Sequence, residues 1–118
     1  MMYICNMYSR ELLKGILKPI IFKLLSENDK MYGYEITQTV KKISGNKILI
    51  KEGSLYPALH TLTKEGFLKV ESIPIGNRVR KYYRLTKSGK TQVEPVTNEL
   101  LEFSATLQTL FQEKPILS

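Results

Sequence analysis

The sequence predicts a mainly α-helical fold with one small antiparallel β-hairpin and a further helix at its end. Three observations predict it. Apolar residues recur at helical spacing in three successive segments, the pattern switches to alternation around residues 67–85, and helical spacing returns over residues 86–112. With 118 residues, 42% apolar and 25% charged, the chain has the length and balance of one soluble globular domain.

Leu12/Leu13, Ile16/Leu17, Ile20/Ile21 and Leu24/Leu25 repeat every four residues, which marks one face of a helix. Gly15 and Pro19 interrupt the repeat, predicting a short leading helix and a second that starts within residues 16–19 and ends at "SEND". "MYGYEITQTVKKISGN" predicts a helix over residues 33–43, with Ile36, Val40 and Ile43 on one face and Gly45-Asn46 as its stop. "ILI", residues 48–50, has the composition of a short strand.

"EGSLYPAL" then opens a helix expected to run to Glu65, with Gly66 as the breaker. Pro57 is expected in its first turn, where the N–H that proline lacks has no intrahelical partner. Gly53 and Ser54 are N-cap types, and Leu55, Leu59 and Leu62 face inward. That leaves Ser54 and Tyr56 at the positive end of a helix dipole, the end that favours anions.

Strands are predicted at residues 67–73 and 78–85 around a turn at Pro74-Ile75-Gly76-Asn77. Alternation puts Val79, Lys81, Tyr83 and Leu85 on one face of the second strand and Arg78, Arg80, Tyr82 and Arg84 on the other. Between Glu71 and Glu94 there are six basic residues and no acid, which points to a phosphate-binding face. The bland alternative is an edge strand whose cations only block aggregation.

In the tail Val93, Val96, Leu100, Phe103, Leu107 and Leu110 step by three and four residues, a heptad seam, and Pro95 is expected to kink or restart this helix. The seam predicts either a dimerisation helix or one packed on its own domain. The chain therefore divides into residues 8–85 and a C-terminal dimerisation helix over residues 86–113. Charge divides the same way. Residues 1–90 hold 17 Lys/Arg against 7 Asp/Glu, and residues 91–118 hold one Lys against four Glu, so a basic body precedes an acidic tail.

Several function classes are excluded. Cys5 is the only cysteine, which leaves no disulfide framework or thiolate cluster and fits a reducing, cytoplasmic compartment. No apolar run approaches the roughly 18 residues that span a membrane. His60 is the only histidine and has no spaced partner for nucleophilic catalysis or a metal site, and no serine stands in a nucleophile elbow. The reading is therefore not an enzyme, with no metal and no cofactor.

The order helix, helix, short strand, helix, basic hairpin is that of a winged helix-turn-helix domain, whose third helix enters the major groove by its N-terminal end while the hairpin contacts the flanking backbone. Gly53, Ser54, Tyr56 and His60 are the groove candidates, and the hairpin tip with Lys81 is the wing. The alternative is a winged-helix module that binds a protein instead of DNA.

"MYGYEI", "EGSLYPALHTLTKEGFL" and "GNRVRKYYRLTKSG" resemble the PadR family of bacterial transcriptional regulators, over residues 12–89. The single helix that follows resembles the smaller subfamily. The resemblance implies a homodimeric repressor on an inverted-repeat operator of double-stranded DNA, released in some members by a small-molecule effector or stress signal. It implies groove contacts from Ser54 and Tyr56, phosphate contacts from Tyr32 and Tyr34, and wing contacts from Gly76, Asn77, Arg78 and Arg80. Some members stack flat aromatic drugs between tryptophans at the dimer centre; this chain has no Trp.

Overall fold

The computed structural model describes residues 8–112, so Cys5 and Glu113 lie outside the described residues. The elements follow the order α1 (Arg10–Lys14), α2 (Leu17–Glu27), β1 (Met31–Tyr32), α3 (Gly33–Ile43), α4 (Glu52–Lys64), β2 (Leu68–Ile75), β3 (Arg78–Leu85) and α5 (Lys87–Leu110). Ser9 caps α1 by accepting from the Leu12 N–H at 3.2 Å, and the chain restarts as α2 after Gly15. The helical face read in the sequence is the buried one: Leu13, Leu17, Ile21, Leu24 and Leu25 are buried, while Leu12 is exposed.

Several predicted features change. Residues 48–50 form no strand; they are a connector whose Ile50 is buried and whose Ile48 N–H is satisfied by the Ser44 hydroxyl at 2.9 Å. The third strand is instead Met31–Tyr32, antiparallel to β3 with Tyr32 opposite Tyr82. Two residues are too few to show a period, and this strand exists because β3 offers an open edge at its base. Ile43 is 71% exposed, since α3 turns its last residue away from the core that Ile36 and Val40 enter.

The sheet order is β1-β3-β2. Strand β2 runs two residues further than predicted, so the turn is only Gly76-Asn77, closed by Ile75 opposite Arg78. Gly76 has φ 61° and Asn77 does not enter positive φ, the pattern of a type II′ turn whose twist suits a hairpin. Pro74 then sits in a non-hydrogen-bonded pair on an edge strand, where its missing N–H costs no ladder bond.

Phe22, Ile21, Ile36, Leu55 and Leu59 are fully buried at the centre of one core, closed by Leu68, Tyr83 and Leu85 of the sheet. Thr86 ties the last helix to it: its hydroxyl accepts from the Gly89 N–H at 3.0 Å and donates to the Gly66 carbonyl at 2.7 Å. Helix α5 runs unbroken through Pro95, whose exposed position leaves only the lost bond to the Thr91 carbonyl rather than a new helix start.

Candidate nucleic-acid interface

Helix α4 is anchored by Leu55, Leu59 and Leu62, as its spacing predicts. Its start differs from the expectation. Lys51 is the N-cap, with the Ser54 and Leu55 N–H groups both bonding its carbonyl at 3.0 Å, and neither Gly53 nor Ser54 caps the helix. Pro57 is therefore the sixth helical residue, in the second turn, where it removes the bond to the Gly53 carbonyl. At about 100° per residue, Gly53, Pro57, His60 and Lys64 form the middle of the outer face, and Ser54 and Tyr56 fall on its two opposite flanks. Gly53 and His60 are exposed there.

The Tyr56 flank faces the wing. Tyr32, Tyr56, Ile75, Arg78, Val79, Arg80 and Lys81 line one cleft of about 310 Å³ between α4, the start of α3 and the hairpin tip. The structure thus brings Tyr32, Tyr56, Arg78, Arg80 and Lys81 together, with Gly76 and Asn77 in the turn beyond. The hairpin tip extends past the core, so both faces of β3 are open there: Val79 is 64% exposed, and the core face is confined to Tyr83 and Leu85. Ser54 instead lines a separate concavity with Ser9, Arg10 and Lys51. Tyr34 is an exposed residue of α3 outside the cleft, not a core aromatic.

Tyr56 does not hang free. Its ring lies on Gly33, where an added β-carbon would sit 2.6 Å from Cζ of Tyr56. Partial burial, and then the charge of Glu52, raises its phenol pKa, further from neutral pH, where a tyrosine is a hydroxyl donor in any case. Gly33→Ala is expected to push this ring out of place while leaving stability within about 1 kcal/mol, because a half-exposed side chain can swing aside and alanine favours the helix. Thermal melts should match the parent, and any duplex binding that uses Tyr56 should fall as in Tyr56→Ala.

Arg80 is held by aromatics. Its guanidinium lies 4.1 Å from the Tyr32 ring centroid, and Nη1 donates to the Tyr82 hydroxyl at 3.5 Å. Tyr32 and Tyr82 meet edge to face, with centroids 5.4 Å apart and planes at 74°. The bond to Tyr82 is the largest of the effects raising the Arg80 pKa.

Arg84 corrects the expectation of a strand face without counter-charges. Its Nη2 reaches Glu71 Oε1 at 3.1 Å and Asp29 Oδ2 at 3.6 Å, and Lys30 reaches Glu71 at 3.5 Å. Glu71 lies across the hairpin near Arg84 and Asp29 lies before β1, so the acids come from elsewhere in the chain. The face is graded: neutralised at its base, and free of ion pairs among the described residues at Arg78, Arg80 and Lys81.

The model of the transcriptional regulator PadR-like family matches residues 21–95. The chain belongs to that family. A Lysinibacillus sphaericus relative known as "Uncharacterized protein X" is 33% identical over 109 residues, 91% of this chain and 97% of its own length. The negative transcriptional regulator PadR of Bacillus subtilis is 35% identical over 79 residues, 66% of this chain but 43% of that protein, so this chain spans less than half of that relative's length. The structure of a transcriptional regulator from Clostridium thermocellum superposes with a TM-score of 0.74 at 29% identity, covering 90% of this chain and 99% of that one. Members of the PadR-like family are transcriptional regulators and not enzymes, and no helix among the described residues is long and apolar enough to cross a membrane.

In this PadR-like chain the predicted seam is split between two environments. Val96 is buried and Val93 packs against the core, so the first half of α5 is held on its own domain through α2. Leu100 and Leu107 are half-buried, whereas Phe103 is 57% and Leu110 70% exposed, beside exposed Leu101 and Phe111. Sequence reasoning missed Gly33 and Tyr82 as neighbours of the cleft residues, and Arg10 and Lys51 as neighbours of Ser54. For Tyr82 a signal existed, since it shares a strand face with Arg80; the others needed the third dimension.

Proposed function

We propose that this PadR-like regulator is a sequence-specific DNA-binding repressor that acts in the cytoplasm as a homodimer on an inverted-repeat operator, with release by a small-molecule or stress signal. The cleft carries the reading: Tyr56 on the outer flank of α4 and three wing cations without ion-pair partners among the described residues border one space. Gly53, His60 and Tyr56 face base edges, and Arg78, Arg80 and Lys81, with the Gly76-Asn77 turn, face a phosphate strand. Two α4 helices of a dimer then lie about 34–36 Å apart, one turn of DNA.

A dimer presenting Arg78, Arg80 and Lys81 twice makes about six phosphate contacts, so binding should fall roughly 10³-fold between about 50 and 200 mM salt. Arg78→Ala and Arg80→Ala should each weaken binding on every sequence and flatten the salt dependence, whereas Tyr56→Ala should cost roughly 1–3 kcal/mol at particular base pairs. A gel shift on the region upstream of its own gene, repeated across salt, is the test. A shift indifferent to salt and to Arg78→Ala removes the wing's role, and no shift on any duplex favours a protein-binding module.

A further inference from the structure

We infer that Tyr82 is a positioning residue that presets the Arg80 guanidinium for a phosphate. The inference rests on reading the cleft as a phosphate-binding surface, and it begins with register. Tyr32 stands directly opposite Tyr82 across the β1–β3 ladder, and Arg80 is two residues from Tyr82 on the same face of β3. Arg80 is thus the diagonal neighbour of Tyr32, within reach of an aromatic ring. The two-residue strand β1 has this effect: it delivers the Tyr32 ring beneath the guanidinium and against the Tyr82 ring of β3.

The contacts bear this out as a closed set. The Tyr82 hydroxyl accepts from Arg80 Nη1, the Tyr82 ring props Tyr32 edge to face, and the Tyr32 face carries the guanidinium at 4.1 Å. Lys30 fixes Tyr82 in turn, with Nζ 5.2 Å from its ring centroid and 3.5 Å from Glu71. None of these partners of Arg80 is an acid. Arg84, on the same face, is consumed by Glu71 and Asp29, whereas Arg80 makes no ion pair among the described residues, Glu35 acting on it only from longer range, and is oriented by a ring and a hydroxyl. A free arginine gives up much rotamer freedom on binding; one already held between a ring and a hydroxyl gives up less.

The test uses the full chain, with Tyr82→Phe to remove the hydroxyl and Tyr82→Leu to remove the ring. In the DNA-free protein, 15N relaxation at Arg80 Nε should report an ordered side chain in the parent and a more mobile one in both variants, with β3 amides unchanged. On operator DNA, Tyr82→Phe should bind roughly two- to tenfold more weakly with the same salt slope, the size of re-imposing one side chain's ordering. In an Arg80→Ala background the same substitution should have no effect. Equal weakening with and without Arg80 would overturn the inference by making Tyr82 a direct contact or a fold element, as would an Arg80 Nε that stays ordered without Tyr82. If the parent binds no duplex the functional reading fails, and the relaxation measurement alone still decides whether Tyr82 holds Arg80.

Discussion

Gly89→Ala is expected to lower the melting temperature by roughly 10–15 °C, a loss of about 3 kcal/mol for a domain of this size. Gly89 is the third residue of α5, and its N–H is the one that the Thr86 hydroxyl caps. A β-carbon there would overlap the Phe67 carbonyl oxygen and lie 3.1 Å from both the Phe67 carbonyl carbon and Cδ2 of Leu85. That carbonyl cannot move cheaply, because it accepts the Thr86 N–H at 3.0 Å. No side-chain rotation relieves the clash, so the start of α5 must lift from the β2 entry and loosen the Val96 contact. The same substitution has other outcomes elsewhere. At Gly33 the obstacle is the end of the Tyr56 side chain, so binding rather than stability should suffer. At Gly53 nothing lies within 4 Å of an added β-carbon, and alanine should stabilise by up to about 1 kcal/mol through helix propensity. Thermal unfolding followed by far-UV circular dichroism of the three variants checks the ranking; a Gly89→Ala protein that melts like the parent would show that α5 docks otherwise.

The features legible in the sequence are those set by local periodicity. Leu55, Leu59 and Leu62 declare the inner face of α4 because helical spacing alone decides it, and β3 is bounded at Arg78 and Leu85 by alternation and a Gly-Asn turn. What escaped depends on pairing between distant segments. Glu71 is 13 residues from Arg84 and Asp29 is 55 residues from it, so a stretch free of acids in sequence is not free of them in space. The same reason hides β1 and the Arg80 cradle. Ser54 and Tyr56 look alike as forward-pointing polar tips, yet two residues along a helix separate them by about 200°, enough to send one to the wing and the other to Arg10 and Lys51. Pro57 misled through the cap: moving the N-cap from Gly53 or Ser54 to Lys51 puts the proline a turn deeper. The fold-level signal survived these errors because only short segments changed state, residues 48–50 losing a strand and Met31–Tyr32 gaining one, while every long helix and both hairpin strands kept their places.

Leu100→Glu combined with Leu107→Glu is expected to turn the proposed dimer into a folded monomer that binds its operator roughly 10²- to 10⁴-fold more weakly, since a second half-site no longer acts at high effective concentration. The exposure pattern along α5 motivates the choice. Val93 and Val96 serve the domain's own core, so charging them would unfold it, whereas Leu100 and Leu107 belong to the half of α5 where apolar side chains stay open: Leu101 at 62%, Phe103 at 57%, Leu110 at 70% and Phe111 at 80% exposed. Phe103, Leu110 and Phe111 lie on one side of the helix at about 100° per residue, and exposed apolar groups gathered there are of the kind that marks an interaction surface. Its seam is too short for a stable free coiled coil, so the proposed dimer must also bury surface on the helical domain to reach the roughly 1,000 Å² of a specific interface. Sedimentation equilibrium gives the oligomeric state, circular dichroism confirms the fold, and a gel shift measures the affinity. A double variant that still sediments as a dimer would remove α5 from the interface. One that is monomeric yet binds the full operator as the parent does would instead separate dimerisation from recognition.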